Sequence, residues 1–229
     1  MTGVMAVAMD MNASYHLLFQ EKLPQAQIVY DRYHMQAQFG KDVLGVVRLE
    51  EARKHNAQAK ELKKAFPTAQ RQQKQELMKE IKQEQRQYTQ IKRLRWTLLT
   101  NGEKLSENQS AHLNEILDAH SDLAVCYAMK EEMCRLFSLR DPDEARAGWT
   151  AWFHAAKESG IHALVRFAEL KEKRMDGLIA HASFPISTGK LEGFNNKIKV
   201  AKRVGFGYRD DDFFFLLVRF ISLPQPNFS

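Results

Sequence analysis

Three acidic residues and one histidine stand where their side chains could do chemistry. Asp10 and Asp31 each follow a short apolar run, and His34 comes three residues after Asp31. Glu192 lies in the segment GKLEGFNNKIK, among asparagine and lysine residues. Carboxylate oxygens are ligands that hard cations such as Mg²⁺ prefer. Each signal is weak by itself, and the informative feature is their order along the chain.

The apolar runs before the two aspartates predict a parallel strand–helix–strand unit. Residues 4–9 and 26–30 have the pattern of short buried strands. Between them, Asn12 or Ser14 can cap a helix that Pro24 ends. Functional groups gather at the carboxyl ends of the strands in such units, so we expect the two aspartates to lie at one edge.

From residue 36 onward the pattern is helical. Residues 68–95 contain almost no helix breaker and predict a long polar helix that packs on one side, as in a helical hairpin or short coiled coil. A low-complexity linker is the alternative. Residues 161–180 predict one amphipathic helix, and Trp149 and Trp152 suit a core better than a base-stacking wedge. The apolar stripe of the long helix consists of Leu77, Ile81, Tyr88, Ile91 and Leu94.

The net charge of +6 is unevenly distributed. Residues 41–104 carry 16 basic and 8 acidic side chains, a net of +8, and residues 189–209 carry 6 and 1, a net of +5. The remainder sums to −7. Two basic blocks indicate a polyanionic partner such as nucleic acid. Solvated helix faces are the alternative, and charge alone does not distinguish the two.

Several classes of protein are excluded by the composition. A 44% hydrophobic content is too high for a disordered chain, and no apolar run approaches the ~20 residues of a membrane span. The N-terminus lacks the basic segment of a secretory signal, and two cysteines cannot form a disulfide framework. These features predict a cytoplasmic protein with no membrane partner.

Three sequence blocks resemble the DDE transposases of bacterial insertion sequences, specifically the ISL-three type. They are AMDMNASY at residues 8–15, LPQAQIVYDRYH at residues 23–34, and TGKLEGFNNKIKVAKRVGFGYR at residues 188–209. The resemblance extends from about residue 7 to residue 220, nearly the whole chain. It implies DNA, both transposon ends and target, as the partner, and a cytoplasmic, nucleoid-associated location.

The resemblance also implies a fold. We expect a mainly α structure with a small parallel β element, in which a long helical insertion interrupts a partial ribonuclease-H-like core. Residues 1–35 would be the strand–helix–strand part of the core, residues 36–184 the insertion, and residues 185–229 the C-terminal helices of the core.

The resemblance also implies roles for individual residues, according to their positions in the matched blocks. Asp10 matches the second aspartate of the catalytic triad and Glu192 the glutamate, so these two are the expected catalytic residues and ligands of Mg²⁺ (or Mn²⁺). Strand cleavage and transfer are in-line displacements at phosphorus, for which two ions ~4 Å apart activate the attacking oxygen and stabilise the leaving one. Asp31 and His34 match the D-x-x-H motif of related transposases. His34 either assists near the metal ions or bonds structurally to Asp31.

The segment around Glu192 carries further candidates. Asn195 and Asn196 lie three and four residues past Glu192, on its helix face, where they could position the carboxylate or contact DNA. The flanking basic residues are candidate phosphate contacts, with solvation as the alternative for each. These basic residues are Lys190, Lys197, Lys199, Lys202, Arg203 and Arg209.

One member of the triad is not matched. In the family the first aspartate lies on the first core strand, well before the block around Asp10, and nine residues precede Asp10 here. We therefore expect the chain to correspond to the C-terminal part of a transposase and to be inactive by itself. The alternative is a non-enzymatic regulator that binds DNA or a full-length transposase. Besides DNA, the expected partners are a second copy of the chain in a homo-oligomer or a full-length transposase.

Overall fold

The N-terminal residues fold as the sequence predicts, into a parallel strand–helix–strand unit. In the computed structural model, which describes residues 3–204 and 210–222, strand β1 is Ala6–Met9, helix α1 is Ala13–Lys22 and strand β2 is Gln27–Tyr30. The Asn12 side chain caps α1 by accepting the Ser14 N–H at 2.9 Å. Side chains are described throughout these ranges except at positions 13, 190–192, 204, 221 and 222.

The two strands pair in parallel over their full length. Ala6 pairs with Gln27 and Met9 with Tyr30, so both strands end at the same edge of the sheet. Within the described residues the sheet has these two strands. The pairing continues for one more hydrogen bond, from the Asp31 N–H to the Met9 carbonyl at 3.0 Å.

The rest of the described chain is helical. The prediction of a mainly α protein with a small parallel β element is therefore confirmed. The helices, with one π-helical turn and one 3-10 turn, are α2 (Arg32–Phe39), the π turn (Gly40–Leu44), α3 (Gly45–Ala65), α4 (Arg71–Arg93), α5 (Arg95–Leu99), the 3-10 turn (Gly102–Lys104), α6 (Glu107–Ala119), α7 (Ser121–Leu136), α8 (Pro142–Glu158), α9 (His162–Glu172), α10 (Met175–Ser183), α11 (Gly189–Val204) and α12 (Asp211–Ser222).

Helices α3 and α4 form the predicted hairpin. Ile81, Ile91 and Leu94 of the apolar stripe are buried, while Leu77 and Tyr88 are half-buried. The Arg48 guanidinium of α3 donates to the carbonyl of Lys92 at 2.6 Å and fixes the register of the pair. The linker alternative is wrong, because the segment packs along one side of α3.

An aromatic cluster forms the centre of the helical core. Trp149 and Trp152 are 0% and 2% exposed, which confirms their prediction as core residues. Trp152 lies edge-on to Phe39 at 6.1 Å and donates its indole N–H to the Met129 carbonyl at 2.9 Å. Edge-to-face packing and a satisfied indole N–H are what a buried tryptophan requires.

The prediction of one helix over residues 161–180 is wrong. The chain turns at Lys173 and Arg174, where α9 ends and α10 begins. The turn lets the Arg174 guanidinium donate to the Met11 carbonyl at 2.6 Å and lets α10 lie against β2. This tertiary contact outweighs the helical propensity of the segment.

Gly177 allows α10 to approach the sheet closely. A Cβ atom at this position would lie 2.4 Å from the Tyr30 ring, so any larger residue would force the helix away. No helix in the described part of the chain is long and apolar enough to cross a membrane.

Candidate active site

Asp10 and Asp31 lie side by side at the carboxyl edge of the sheet, in different surroundings. Each is the first residue after its strand, and the register of β1 and β2 aligns the strand ends. Asp31 is 1% exposed, whereas the side chain of Asp10 is 43% exposed. The same residue type can therefore serve two purposes here.

The Asp31 carboxylate connects β2 to the start of α11. Its Oδ1 accepts the backbone N–H groups of Tyr33 at 2.7 Å and His34 at 3.4 Å, which caps α2. Its Oδ2 accepts the Thr188 N–H at 2.6 Å and the Thr188 hydroxyl at 3.0 Å. Thr188 directly precedes Gly189, where α11 begins. Asp31 thus joins two segments that lie 157 residues apart.

These hydrogen bonds also fix the charge of Asp31. Burial by itself raises the pKa of a carboxyl, but the bonds from Thr188, Tyr33 and His34 outweigh it and hold the pKa of Asp31 below its usual value. The group is therefore ionised at neutral pH. Because both oxygens already accept two bonds each, Asp31 serves as a structural anion.

Asp10 and His34 form a partly exposed pair. The Oδ1 atom of Asp10 accepts the Met11 N–H at 2.6 Å, and its Oδ2 atom lies 3.8 Å from Nδ1 of His34. The two interpretations of His34 thus apply to different atoms. Its backbone N–H bonds to Asp31, while its imidazole lies beside Asp10.

Helix α11 presents the other predicted residues. Asn195, Asn196 and the lysine and arginine side chains described on this helix are exposed. The structure does not describe the side chains of Lys190 and Glu192 or any part of Arg209. The expected convergence of Glu192 on Asp10 therefore falls outside the described residues. The exposed basic side chains of α11 are Lys197, Lys199, Lys202 and Arg203.

The described side chains offer part of a metal site. Among them, no group of three or more acidic, histidine or cysteine side chains is arranged to hold a metal ion. The carboxylate of Asp10 suits a hard cation, and Nδ1 of His34 lies 3.8 Å from its Oδ2 atom. Since Asp31 is engaged by hydrogen bonds, a complete site would require at least one further carboxylate.

Two residues that build this site were missed in the sequence. Thr188 carries a recognisable signal, since threonine before a helix is a preferred cap, although the partner 157 residues away leaves no trace in the sequence. Arg174 carries no such signal. Its bond to the Met11 carbonyl, one residue after Asp10, depends on the packing of α10 against the sheet.

Comparisons with known proteins define the family to which the chain belongs. The transposase for insertion sequence element IS1001 of Bordetella parapertussis is 35% identical over 216 residues, which cover 94% of this chain and 47% of the relative. The transposase for element IS1557 of Mycobacterium tuberculosis is 29% identical over 119 residues, covering 52% of this chain and 27% of the relative. The chain is thus similar to transposases of bacterial insertion sequences.

The family match is more extensive. The family model of the ISL-three-type DDE transposases, whose description is "Transposase", matches residues 1–218. The chain belongs to this family, which confirms the resemblance seen in the three sequence blocks. It spans less than half the length of the curated relatives that it matches. No solved structure gives a significant match.

Proposed function

We propose that the chain is the C-terminal catalytic part of a transposase, with a partial ribonuclease-H-like core interrupted by a helical insertion. The observation that carries this proposal is the pair of bonds from Thr188 to Asp31. They join residues 1–35 directly to residues 185–229, across the 36–184 segment. This is the connection that a core interrupted by an insertion requires.

In this proposal each residue at the sheet edge has a separate task. Asp10, together with Glu192, would hold Mg²⁺ or Mn²⁺. When bound, the metal ion supplies Lewis-acid stabilisation of the phosphoryl oxygens during strand cleavage and transfer. His34 lies 3.8 Å from the Asp10 carboxylate and would help to orient it, and Asp31 holds the start of α11 through Thr188. Substrate DNA is the partner, with the exposed basic side chains of α11 as phosphate contacts.

The 229-residue chain by itself is proposed to be inactive in strand cleavage. Two-metal chemistry requires several carboxylates around the ions, and the described side chains contribute Asp10 and His34 without a third ligand. A purified sample incubated with Mn²⁺ and a labelled transposon end should leave the DNA intact, and specific, metal-dependent cleavage would contradict this part of the proposal.

Metal binding tests the proposed site directly. Mn²⁺ titration followed by electron paramagnetic resonance should show one weak site that Asp10→Asn and Glu192→Gln each weaken about tenfold or more, since even outer-shell changes cost that much. Asp118→Asn is the matched control, because Asp118 is an exposed acid on α6. Equal binding by the variants and the control would refute the assignment of Asp10 and Glu192.

A non-enzymatic regulator is the second candidate, and one observation favours it. Within the described residues β1 pairs with β2 alone, and Met5, which directly precedes β1, is 72% exposed. An open strand edge with apolar neighbours suits strand addition by another chain, such as a second copy or a full-length transposase. Co-purification with a full-length relative that persists in Glu192→Gln would support this function.

A further inference from the structure

The outer face of α4 is a basic stripe. Helix α4 packs against α3 through the side that carries Ile81 and Ile91. At about 100° per residue, the four side chains of the stripe lie within about 60° of one another on the opposite side of the helix. All four are exposed. They are Lys79, Lys82, Arg86 and Arg93.

The stripe is not neutralised by acidic side chains. In the described part of the chain, no lysine or arginine of α4 is within ion-pair distance of a carboxylate. The three glutamates of α4 lie on one flank, and Glu84 faces α3, where it bonds to His55 at 2.7 Å. Elsewhere exposed cations do pair, as Lys64 does with Glu61 and Lys157 with Glu172.

The surface beside the stripe is rich in amides. A cleft of about 410 Å³ between α4 and α6 is lined by Lys82, Gln83, Arg86, Gln87, Gln90 and Glu115. Glutamine side chains donate to phosphate oxygens and also read base edges. An acidic protein partner would not require this density of amide groups, whereas a nucleic acid uses both kinds of donor.

An exposed indole follows the stripe closely along the chain. Trp96 follows Arg93 by three residues and is 71% exposed, whereas Trp149 and Trp152 are buried. The Arg95 guanidinium lies 5.1 Å from the centre of the Trp96 ring. Exposed tryptophan beside cationic groups is a stacking platform for an unpaired base.

We propose that the α4 stripe binds the phosphate backbone of DNA and that Trp96 stacks on an unpaired base next to the duplex. From Lys79 to Arg93 the stripe is about 21 Å long, which matches about six base pairs of B-DNA. The inference rests on the proposed function in one respect, since it takes the transposase's DNA as the ligand. It assigns part of the helical insertion to DNA binding, away from the sheet edge.

The stripe is tested by charge-matched variants of the full chain. Fluorescence anisotropy with a labelled blunt duplex of about 20 base pairs, roughly three times the span of the stripe, would be measured in EDTA at several salt concentrations. Lys82→Gln/Arg86→Gln should weaken binding about tenfold and reduce the salt slope by roughly 2. Arg53→Gln/Lys60→Gln is the control, because it removes one arginine and one lysine from an exposed face of α3 that is turned about 140° from the α4-facing residues. It should change binding less than threefold.

Trp96 is tested by a duplex with a single-stranded overhang. The overhang should strengthen binding about fivefold or more and protect the exposed tryptophan from acrylamide quenching. Trp96→Ala should lose this preference, and Trp96→Phe, which keeps an aromatic face, should retain most of it. An equal preference in Trp96→Ala would overturn the stacking role.

The outcomes separate this inference from the proposed function. If the chain does not bind DNA at roughly 50 mM salt, or if the α4 variant and the α3 control weaken binding equally, the stripe is not the DNA surface. The binding assay contains EDTA, so DNA binding is measured without bound metal ions. Failure of the Asp10 and Glu192 metal site would therefore leave a positive binding result intact.

Discussion

The sheet edge and the outer face of α4 both carry charged side chains, but these side chains differ in burial and in hydrogen-bond or ion-pair partners. At the sheet edge the Asp31 carboxylate is buried and accepts four hydrogen bonds from three residues. Along the α4 stripe the four cations are exposed, and none is within ion-pair distance of a carboxylate in the described chain. A buried ion with every acceptor used stabilises geometry, whereas an exposed and unpaired ion remains available to a ligand. The comparison predicts which substitutions unfold the protein and which alter only binding.

The largest effect is expected for Asp31→Ala. Removing the carboxylate leaves the buried Thr188 N–H and hydroxyl without their acceptor, which should lower the free energy of unfolding by about 3 kcal/mol. Asp10→Asn is the control at the same edge and should cost about 0.5 kcal/mol, because its side chain is partly exposed. Urea unfolding measures both. Similar losses would show that the two aspartates do not differ as described.

A smaller loss is expected for Gly177→Ala. The added Cβ would lie 2.4 Å from the Tyr30 ring, so α10 or the ring must shift, at about 2 kcal/mol. Gly193→Ala in α11 is the matched control, since no atom lies within 4 Å of the added Cβ and alanine favours a helix by about 0.5 to 1 kcal/mol. Thermal unfolding should show that Gly177→Ala lowers the stability and Gly193→Ala raises it. Changes of opposite sign would confirm that packing against the sheet, and not helix propensity, determines the effect at Gly177.

The acid dependence of stability should follow two buried, hydrogen-bonded carboxylates, Asp31 and Glu51. Burial opposes ionisation of Glu51, but bonds from Lys54 and His120 lower its pKa, as Thr188 and the α2 N–H groups do for Asp31. A lowered folded-state pKa stabilises the protein above the unfolded pKa, and this stability is lost as the pH falls through the folded value. Unfolding free energies between pH 7 and about pH 3 should decrease, and less steeply in Asp31→Asn. An unchanged slope would show that folding does not lower the pKa of Asp31.

The smallest effect on stability is expected for the α4 stripe. Lys82→Gln/Arg86→Gln should change the free energy of unfolding by less than about 0.5 kcal/mol, because both side chains are exposed and neither pairs with a carboxylate within the described chain. Arg48→Gln is the contrasting variant, since the buried Arg48 guanidinium donates to the Lys92 carbonyl. It should cost about 2 kcal/mol in the same urea titration. A large loss in the stripe variant would mean that the stripe is structural.

Local patterns in the sequence predicted much of the fold. The apolar runs before Asp10 and Asp31 predicted the strands, and the stripe through Ile81 and Ile91 predicted the α3–α4 hairpin, because both signals arise from period and burial within one segment. The interruption at Arg174 was not predictable in this way. It depends on a bond to a carbonyl 163 residues away.

The candidate site was predictable by position but not by environment. The sequence placed both aspartates at strand ends, and the register aligns those ends. The sequence did not show that Asp31 is buried and Asp10 partly exposed. The role of Asp31 depends on its bond from Thr188, which lies at the other end of the insertion. Long-range hydrogen bonds of this kind leave no periodic signal.

The bond from Thr188 to Asp31 has a consequence for synthesis on the ribosome. At roughly 5 to 20 residues per second, the 157 residues between the partners take about 8 to 30 s to translate. During that interval β1 and β2 can pair, but the Asp31 carboxylate has only the α2 N–H groups as donors. Contacts between such distant residues form late because the intervening chain must first be ordered. The sheet edge that carries Asp10 would therefore reach its final form only after α3 to α10 have emerged and packed.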